Sequence, residues 1–461
     1  MNNTVQRGGR RAFLVAYYTY SMTALSGLLF GMDIGAISGA NELIQRDFQI
    51  SDRTIERIVS AMLLGAAVGA LAGGRLCAVW GRKRSLVIGG ALLLAGSIWS
   101  GAAWSAGALI GARLVLGLGV GITSLTTPLY LAEVSASKHR GALVSLYQLM
   151  ITAGIFLAFL LDLAFSRSGS WRWMLGVIAF PAALFTIGTC FVVESPRWLM
   201  MQGRREEALR ALGKLRGGQP EEAEMAGIEQ HAGQAHEGLR LLRDNRDFRR
   251  SVGLGALLQV MQQLTGINLV MYYAPRIFHL MGYGTRAQLT STAAIGLTNM
   301  LATLIAIALV DRWGRKPMLY IGFTAMAVSL GLVGFMLHQG VSTRAEQIFT
   351  AGMVLTFVTG FAMSAGPVIW AVCSEVPLQR GRDFGVSLST CANWLTNTLI
   401  GATFLTSLSL IGASATFWIF ASLNLLFVFI TFALVPETRG VSLEEIERNL
   451  SSGKPLRHIG R

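Results

Sequence analysis

Residues 384–436 read FGVSLSTCANWLTNTLIGATFLTSLSLIGASATFWIFASLNLLFVFITFALVP, and the run contains no Asp, Glu, Lys or Arg. An α-helix needs roughly 20 apolar residues to cross the hydrocarbon core of a bilayer. The run is long enough for two such helices. The sequence therefore predicts two membrane spans that fold back on each other around Gly412.

Similar apolar windows occur along the rest of the chain. They begin near Phe13, Ile58, Ser85, Leu114, Ala142 and Trp173 in the first half, and near Val252, Thr290, Pro317 and Ile348 in the second. The chain is 52% hydrophobic and 14% charged, against about 25% charged in soluble proteins. These runs do not alternate apolar and polar residues as β-barrel strands do. We predict an all-α membrane protein with about twelve transmembrane helices in two six-helix bundles.

The basic residues favour a defined orientation in the membrane. The formal charge of +14 is scattered through short loops rather than gathered on one soluble face, which argues against nucleic acid as a partner. Basic clusters fall in every second loop, and loops rich in Lys and Arg stay cytoplasmic. We expect an inner-membrane protein with both termini cytoplasmic, although Arg46, Arg53 and Arg57 fit imperfectly in the first outside loop.

The polar centre of the sequence separates two related halves. Gly81-Arg82-Lys83 recurs as Gly314-Arg315-Lys316, and Glu133 with Arg140 recurs as Glu375 with Arg382. Such repeats are typical of transporters that bind substrate between two similar halves. The predicted domains are a bundle at 1–195, a cytoplasmic helical linker at 196–250, a second bundle at 251–436 and a cytoplasmic tail at 437–461.

Several motifs resemble the sugar porter family of the major facilitator superfamily over essentially the whole chain. They are Gly31-Met32-Asp33-Ile34-Gly35, Asp311-Arg312-Trp313-Gly314-Arg315-Lys316, Glu194-Ser195-Pro196-Arg197-Trp198-Leu199, Gln262-Gln263-Leu264-Thr265-Gly266-Ile267-Asn268 and Pro436-Glu437-Thr438-Arg439-Gly440. The segments at 147–152, 171–177 and 360–367 resemble the bacterial galactose and arabinose proton symporters within that family. The resemblance implies a major facilitator fold and a hexose or pentose as substrate.

Charged residues inside the spans are candidates for proton coupling. An ionised carboxylate within a bilayer is costly, so an acid in a span indicates function by default. Asp33 lies in the first span, and Arg113 is the natural counter-ion in an otherwise uncharged stretch. Burial favours the protonated carboxyl and a nearby guanidinium favours the carboxylate, so a moving Arg113 could load and release a proton. A permanent ion pair that fixes helix packing is the alternative. Asp162, near the outer end of the fifth span, is a second candidate.

Uncharged polar side chains deep in the spans are candidates for sugar binding. A sugar needs amides that donate and accept, and aromatic faces for the apolar side of its ring. The sequence offers Gln148, Gln262, Gln263, Asn268, Asn299, Asn393, Trp370 and Trp394. By the family resemblance these line the central sugar site, with Phe30, Tyr272, Tyr273, Gly366 and Asn397 nearby. Hydrogen bonds between helices are the alternative for each amide, and which adjacent glutamine faces the site stays open.

The repeated charged residues are predicted at the cytoplasmic helix ends. Arg82, Glu133, Arg140, Arg315, Glu375 and Arg382 could form ion-pair networks that link the halves when the inner side is closed. Simple enrichment of basic residues in cytoplasmic loops explains the arginines but not the matching glutamates. In the same way, small residues at 117–121 predict close helix packing rather than a phosphate-binding loop.

These patterns predict a proton-coupled importer of a monosaccharide that works by alternating access in the lipid bilayer. A facilitative sugar uniporter and a sensor that binds sugar without moving it are the alternatives. No catalytic group, metal site or cofactor is predicted, since the four cysteines lack metal-ligand spacing and no nucleophile with a base can be assembled. No obligate protein partner is predicted.

Overall fold

The computed structural model describes residues 2–135, 140–166, 169–216, 238–378, 381–441 and 443–460. Nearly all of these residues are helical. The first half contains helices α1 to α7, at Asn2–Phe48, Asp52–Trp80, Arg82–Gly101, Ala106–Val134, Arg140–Phe165, Trp171–Gly176 and Ala179–Thr189. Three short helices follow: α8 at Pro196–Met201, α9 at Arg205–Arg216 and α10 at Gly238–Asp244.

The second half contains nine helices. Helices α11 to α19 lie at Arg246–Leu264, Ile267–Leu280, Thr285–Trp313, Arg315–Gln339, Arg344–Met363, Ala365–Glu375, Arg382–Gly401, Phe404–Ile411 and Ala413–Leu434. The tail forms α20 at Leu443–Ser451 and a 3-10 turn at Leu456–His458. The end of the bundle that carries α8 to α10 is called the linker end below, and the opposite end is called the far end.

The number of membrane spans matches the prediction. Eleven helices or joined pairs in the described chain are long and apolar enough to span a bilayer, and the bent pair α17 and α18 brings the number to 12. The predicted turn between the last two spans lies at Gly412, between α18 and α19, where φ is 83°. The sequence prediction of an all-α bundle of about twelve spans is confirmed.

Three spans of the second half are interrupted near their middles. The seventh span consists of α11 and α12, and it breaks at Thr265 and Gly266, where Gly266 has a φ of 91° that other residues rarely adopt. The tenth span consists of α15 and α16 and breaks at Ser364. The eleventh span, α17 and α18, bends by 42°. Interrupted helices in membranes are tolerated where they line a cavity or are buried in protein.

Close helix packing in the first half rests on small residues. A Cβ on Gly31 of α1 would overlap the backbone carbonyl of Ile151 on α5. A Cβ on Gly117 of α4 would overlap the carbonyl of Met62 on α2. Without side chains at these positions the backbones touch, which is how helices associate strongly in lipid. The predicted packing role of residues 117–121 is confirmed.

Candidate functional site

A buried ion pair joins α1 and α4. Asp33 is 0% exposed and Arg113 is 1% exposed. The guanidinium of Arg113 binds the carboxylate of Asp33 through two hydrogen bonds: Nη1 donates to Oδ1, and Nη2 donates to Oδ2 at 3.1 Å. The Nε of Arg113 has no hydrogen-bond partner among the described residues. Each charge is therefore neutralised mainly by the other, with few further hydrogen bonds from the described residues.

A network of amides lies across the seventh, tenth and eleventh spans. Asn268 Nδ2 donates to Gln263 Oε1 at 2.6 Å, and Gln263 Nε2 donates to Asn393 Oδ1 at 3.0 Å. Asn393 Nδ2 then donates to Gln262 Oε1 at 2.8 Å. Gln262 Nε2 completes the chain by donating to the carbonyls of Ala365 at 2.8 Å and Gly366 at 3.2 Å. We call Gln262, Gln263, Asn268 and Asn393 the amide cluster.

The interruptions in the spans bring the amide cluster together. Gln262 and Gln263 come just before the break at Gly266, and Asn268 comes just after it. The carbonyls that Gln262 reaches belong to the first turn of α16, directly after the break at Ser364. Gln262 and Gln263 both hydrogen-bond to spans of their own half, and which of them faces a sugar stays a prediction. Amides in this arrangement can donate to and accept from hydroxyl groups.

Other predicted site residues contact residues of neighbouring spans. The rings of Phe30 on α1 and Trp394 on α17 are 5.4 Å apart, so an aromatic contact bridges the two halves. Asn397 Nδ2 donates to the hydroxyl of Tyr272 at 3.2 Å, and Tyr273 donates its hydroxyl proton to the carbonyl of Gly401 at 3.2 Å.

Three more predicted residues lie elsewhere in the spans. Asn299 is buried in α13, and Gln148 of α5 is half-buried. Trp370 of α16 is 38% exposed. Within the described part of the chain no side-chain hydrogen bond or ring contact connects any of them to the cluster, so their inclusion in the site stays a prediction.

Gln259 is a member of this network that the sequence reasoning missed. Its side chain is fully buried, and its Oε1 accepts a hydrogen bond of 2.6 Å from Asn393. Positions 259, 262 and 263 share one face of a helix, because residues three and four apart are neighbours. That spacing was the available signal.

At the linker end of the first half, two carboxylates form a closed network. Arg82 Nη2 donates to Glu133 Oε1 at 2.6 Å, and the hydroxyl of Ser195 donates to Glu133 Oε2 at 2.5 Å. Glu194 Oε1 accepts from the backbone amides of Arg82 at 3.0 Å and Lys83 at 3.1 Å, in the first turn of α3. Burial raises the pKa of Glu194, and hydrogen bonds from the amides of Ser195, Lys83 and Arg82 oppose that rise.

The second half repeats this network. Arg315 Nη2 donates to Glu375 Oε1 at 2.9 Å, and Thr438 donates its hydroxyl proton to Glu375 Oε2 at 2.5 Å. Glu437 accepts from the backbone amides of Arg315 and Lys316, each at 3.0 Å, in the first turn of α14. A negative charge at a helix N-terminus is stabilised by the helix dipole.

Glu194-Ser195 and Glu437-Thr438 belong to sequence motifs, but their part in these networks was not predicted from the sequence. The signal was available, because each Glu-Ser or Glu-Thr pair follows the last span of its half. Each network of contacts described above lies within one half. Arg140 begins α5 and Arg382 begins α17. The side chain of Arg140 lies outside the described residues.

At the far end, hydrogen bonds join the two halves. Asn41 Nδ2 of α1 donates to the carbonyl of Tyr272 of α12 at 3.0 Å. Glu56 of α2 accepts from both the backbone amide and the hydroxyl of Thr406 of α18. These contacts draw the first, second, seventh and eleventh spans together there.

Asp162 lies apart from the ion pair. It is 2% exposed near the end of α5, and neither carboxyl oxygen has a hydrogen-bond partner among the described residues. The carboxyl packs so closely against Gly39 of α1 that a Cβ at that glycine would overlap it. The described residues contain no group of three His, Cys, Asp or Glu side chains placed to hold a metal ion.

Two similar halves, interrupted spans and buried polar groups within each half are the architecture of a secondary transporter. The chain matches the family model "Sugar (and other) transporter" over residues 19–450. It therefore belongs to the sugar transporter family, and its activity is transport, not catalysis.

Similar proteins support this assignment along the whole chain. The galactose-proton symporter of Escherichia coli strain K12 is 51% identical over 457 residues, which cover 99% of this chain and 98% of that protein. The arabinose-proton symporter of the same strain is 49% identical over 442 residues, covering 95% and 94%. The xylose transporter XylE from E. coli, in a partially occluded inward open conformation, superposes with a TM-score of 0.81 at 29% identity, covering 93% and 99%. The chain is thus a multi-pass inner-membrane protein of the same fold.

Proposed function

We propose that this protein imports a monosaccharide together with a proton, by alternating access, and that the sugar is a hexose or pentose of the galactose or arabinose kind. The buried pair of Asp33 and Arg113 carries the proposal, because a transporter of a neutral sugar needs no charged pair within its spans. Similar proteins named as galactose-proton and arabinose-proton symporters support both the proton and the class of sugar.

Asp33 is the proposed proton carrier. In this structure the carboxylate is held by two hydrogen bonds from Arg113, the state expected after the proton has left. If the guanidinium withdraws, an ionised Asp33 is buried without a partner, and uptake of a proton relieves that cost. Because α1 and α4 carry the two groups, a shift between these helices is enough to switch between the loaded and unloaded forms.

The amide cluster is the proposed sugar site, with Gln259 holding Asn393 in place. Its amides now bond to one another and to the carbonyls after Ser364, so an entering sugar would exchange these bonds for bonds to its hydroxyls. Phe30 and Trp394 offer ring faces beside the cluster. We include Gln148, Asn299, Tyr272, Tyr273, Gly366, Trp370 and Asn397 in the proposed lining.

The two halves, 1–195 and 251–436, are the proposed moving bundles. We assign the linker end, with both termini, to the cytoplasm, and the far end to the outside. The hydrogen bonds of Asn41 and Glu56 to the other half then close the outer side, which supports an inward-facing state. The networks around Glu133 and Glu375 stiffen the inner end of each bundle.

The test is a measurement of proton movement in weakly buffered proteoliposomes when galactose, arabinose, xylose or glucose is added. Alkalinisation outside on addition of one sugar is expected for the wild type. Asp33→Asn should abolish that signal while exchange of the same sugar continues. Asp162→Asn is the matched control, since it neutralises another buried acid of the same half and should keep the signal.

Each contrary outcome points to a specific alternative. Sugar flux without a proton signal in the wild type would leave a facilitative uniporter. Binding of a sugar without flux would leave a sensor. Loss of the signal in Asp162→Asn, with Asp33→Asn still coupled, would move the proton site to the end of α5.

A further inference from the structure

Glu56 is a buried acid that the proposed proton and sugar sites do not use. It lies one turn into α2, from the first half, and is 3% exposed. Its Oε1 accepts a hydrogen bond of 2.7 Å from the backbone amide of Thr406, and its Oε2 accepts one of 2.6 Å from the hydroxyl of the same residue. Both carboxylate oxygens are therefore satisfied by one residue of the other half.

The position of Thr406 shows that these two hydrogen bonds cap a helix. Thr406 lies in the first turn of α18, the outer segment of the bent eleventh span, where amides lack partners within the helix. The N-cap residue Thr403 makes no capping bond, because its hydroxyl donates to the carbonyl of Leu399 at 2.9 Å. Glu56 thus supplies the cap of α18 from the opposite bundle, and its negative charge suits the helix N-terminus.

The surrounding packing is also shared between the halves. A Cβ on Gly401, at the end of α17, would lie 2.9 Å from Leu63 and 3.7 Å from Val59, both on α2. Val59 and Leu63 are fully buried. The bend of the eleventh span therefore rests on the second span on the same side as the bonds of Glu56. If the far end opened, α18 would lose the cap from Glu56, and the bend before it would lose its packing against Val59 and Leu63.

We propose that Glu56 is the latch of the far end: its carboxylate holds the outer segment of the eleventh span against the second span and so keeps that side closed. The inference rests on the alternating access proposed above. Asn41 and Tyr272 make a parallel contact, but Glu56 alone among these residues adds a charged cap to a helix of the other half.

Thiol labelling tests the latch directly. The reporter is Val59→Cys in a background where the four native cysteines are replaced by serine. Val59 is buried and lies against Gly401 of the other half, so we expect opening of the far end to expose it. The rate of reaction with a maleimide dye is measured on the purified full-length protein in detergent. Glu56→Ala should raise that rate about tenfold, which corresponds to ~1.4 kcal/mol in the opening equilibrium.

Three further variants separate a latch from general damage. Glu56→Gln keeps an acceptor oxygen and should recover part of the closed state. Thr406→Val removes only the hydroxyl donor and should raise the rate roughly threefold. Glu42→Ala is the matched control, because Glu42 pairs with Arg46 of its own helix at 3.7 Å, and the rate should not change.

The proposal is overturned if Glu56→Ala labels no faster than Glu42→Ala while both elute as single folded species. If Glu56→Ala does not fold, an unchanged rate in Thr406→Val overturns it equally. The labelling needs neither sugar nor a proton gradient, so a failure of proton coupling in the liposome assay would leave this result standing.

Discussion

Removing the two members of the buried ion pair should have unequal effects. Asp33→Asn leaves the guanidinium of Arg113 charged in a site where it is 1% exposed, and arginine does not lose its proton in proteins. Breaking a buried pair in this way costs about 3–5 kcal/mol. Arg113→Met instead leaves an aspartic acid that can take up a proton and become neutral. The loss is then mainly that of hydrogen bonds to a charged group, about 1.5–3 kcal/mol.

The expected shifts in melting temperature follow from chain length. An unfolding entropy of about 2.1 cal/mol/K per residue gives ~1 kcal/mol/K for 461 residues. Asp33→Asn should therefore lower the melting temperature by ~3–5 °C and Arg113→Met by ~1.5–3 °C. The double variant, with no charge left in the site, should recover most of the loss of Asp33→Asn. The assay is thermal unfolding of purified protein followed by intrinsic tryptophan fluorescence.

Glu207→Gln provides the control for this series. Glu207 pairs with Arg204 at 2.7 Å on the linker surface, where both side chains are exposed, and surface pairs contribute little. Its melting temperature should match the wild type within ~1 °C. Equal shifts for the two single variants, or a double variant as unstable as Asp33→Asn, would refute the reasoning.

Three other outcomes are expected. Gln263→Ala should weaken sugar binding, measured by equilibrium dialysis, by roughly tenfold or more, because an amide that both donates and accepts is lost. The control Gln347→Ala, at the far end, should bind sugar like the wild type. Equal sugar affinities of the two variants would remove Gln263 from the site. Burial holds the pKa of Glu194 above its ordinary value of 4.5, so the folded state binds this proton more tightly than the unfolded state, and the free energy of unfolding should fall as pH rises above about 4.5. Glu194→Gln should reduce this fall in melting temperature measured across pH. An equally steep fall in the variant would contradict the assignment. Asp162→Asn should melt within ~1 °C of the wild type, because a buried carboxyl without a hydrogen-bond donor is more stable in its neutral form, which the amide resembles. A melting temperature lower by several degrees would indicate that Asp162 is ionised and paired.

The number and order of the spans could be predicted because long apolar runs have few alternatives in a chain of this composition. The turn at Gly412 followed from the length of one uncharged run. The interruptions could not be placed in the same way. Gly266 offers a local cause at the first break, and Pro367 offers one at the second, because a proline cannot donate to the carbonyl of residue 363 and its ring crowds that carbonyl. Pro128, however, lies inside the unbroken helix α4, so the presence of a proline does not by itself locate a break.

The candidate site was predictable by residue type and not by geometry. A lone acid and a lone arginine in apolar runs were enough to suggest that Asp33 and Arg113 meet, and they do. Gln259 could have been predicted as well, because it lies three and four residues before Gln262 and Gln263 and so shares their face of the helix. The link between Glu56 and Thr406 had no signal at all, since the two residues are far apart in the chain and no local pattern relates them.

The self-contained networks at the linker end have a consequence for how a two-fold architecture can originate. Glu194 satisfies the first turn of α3 inside one half, and Glu437 does the same for α14 inside the other. A half-length ancestor could have balanced these charges before any second half existed. Duplication and fusion of such a half would leave these hydrogen bonds intact in each copy, and selection would then act on the surfaces where the two copies meet.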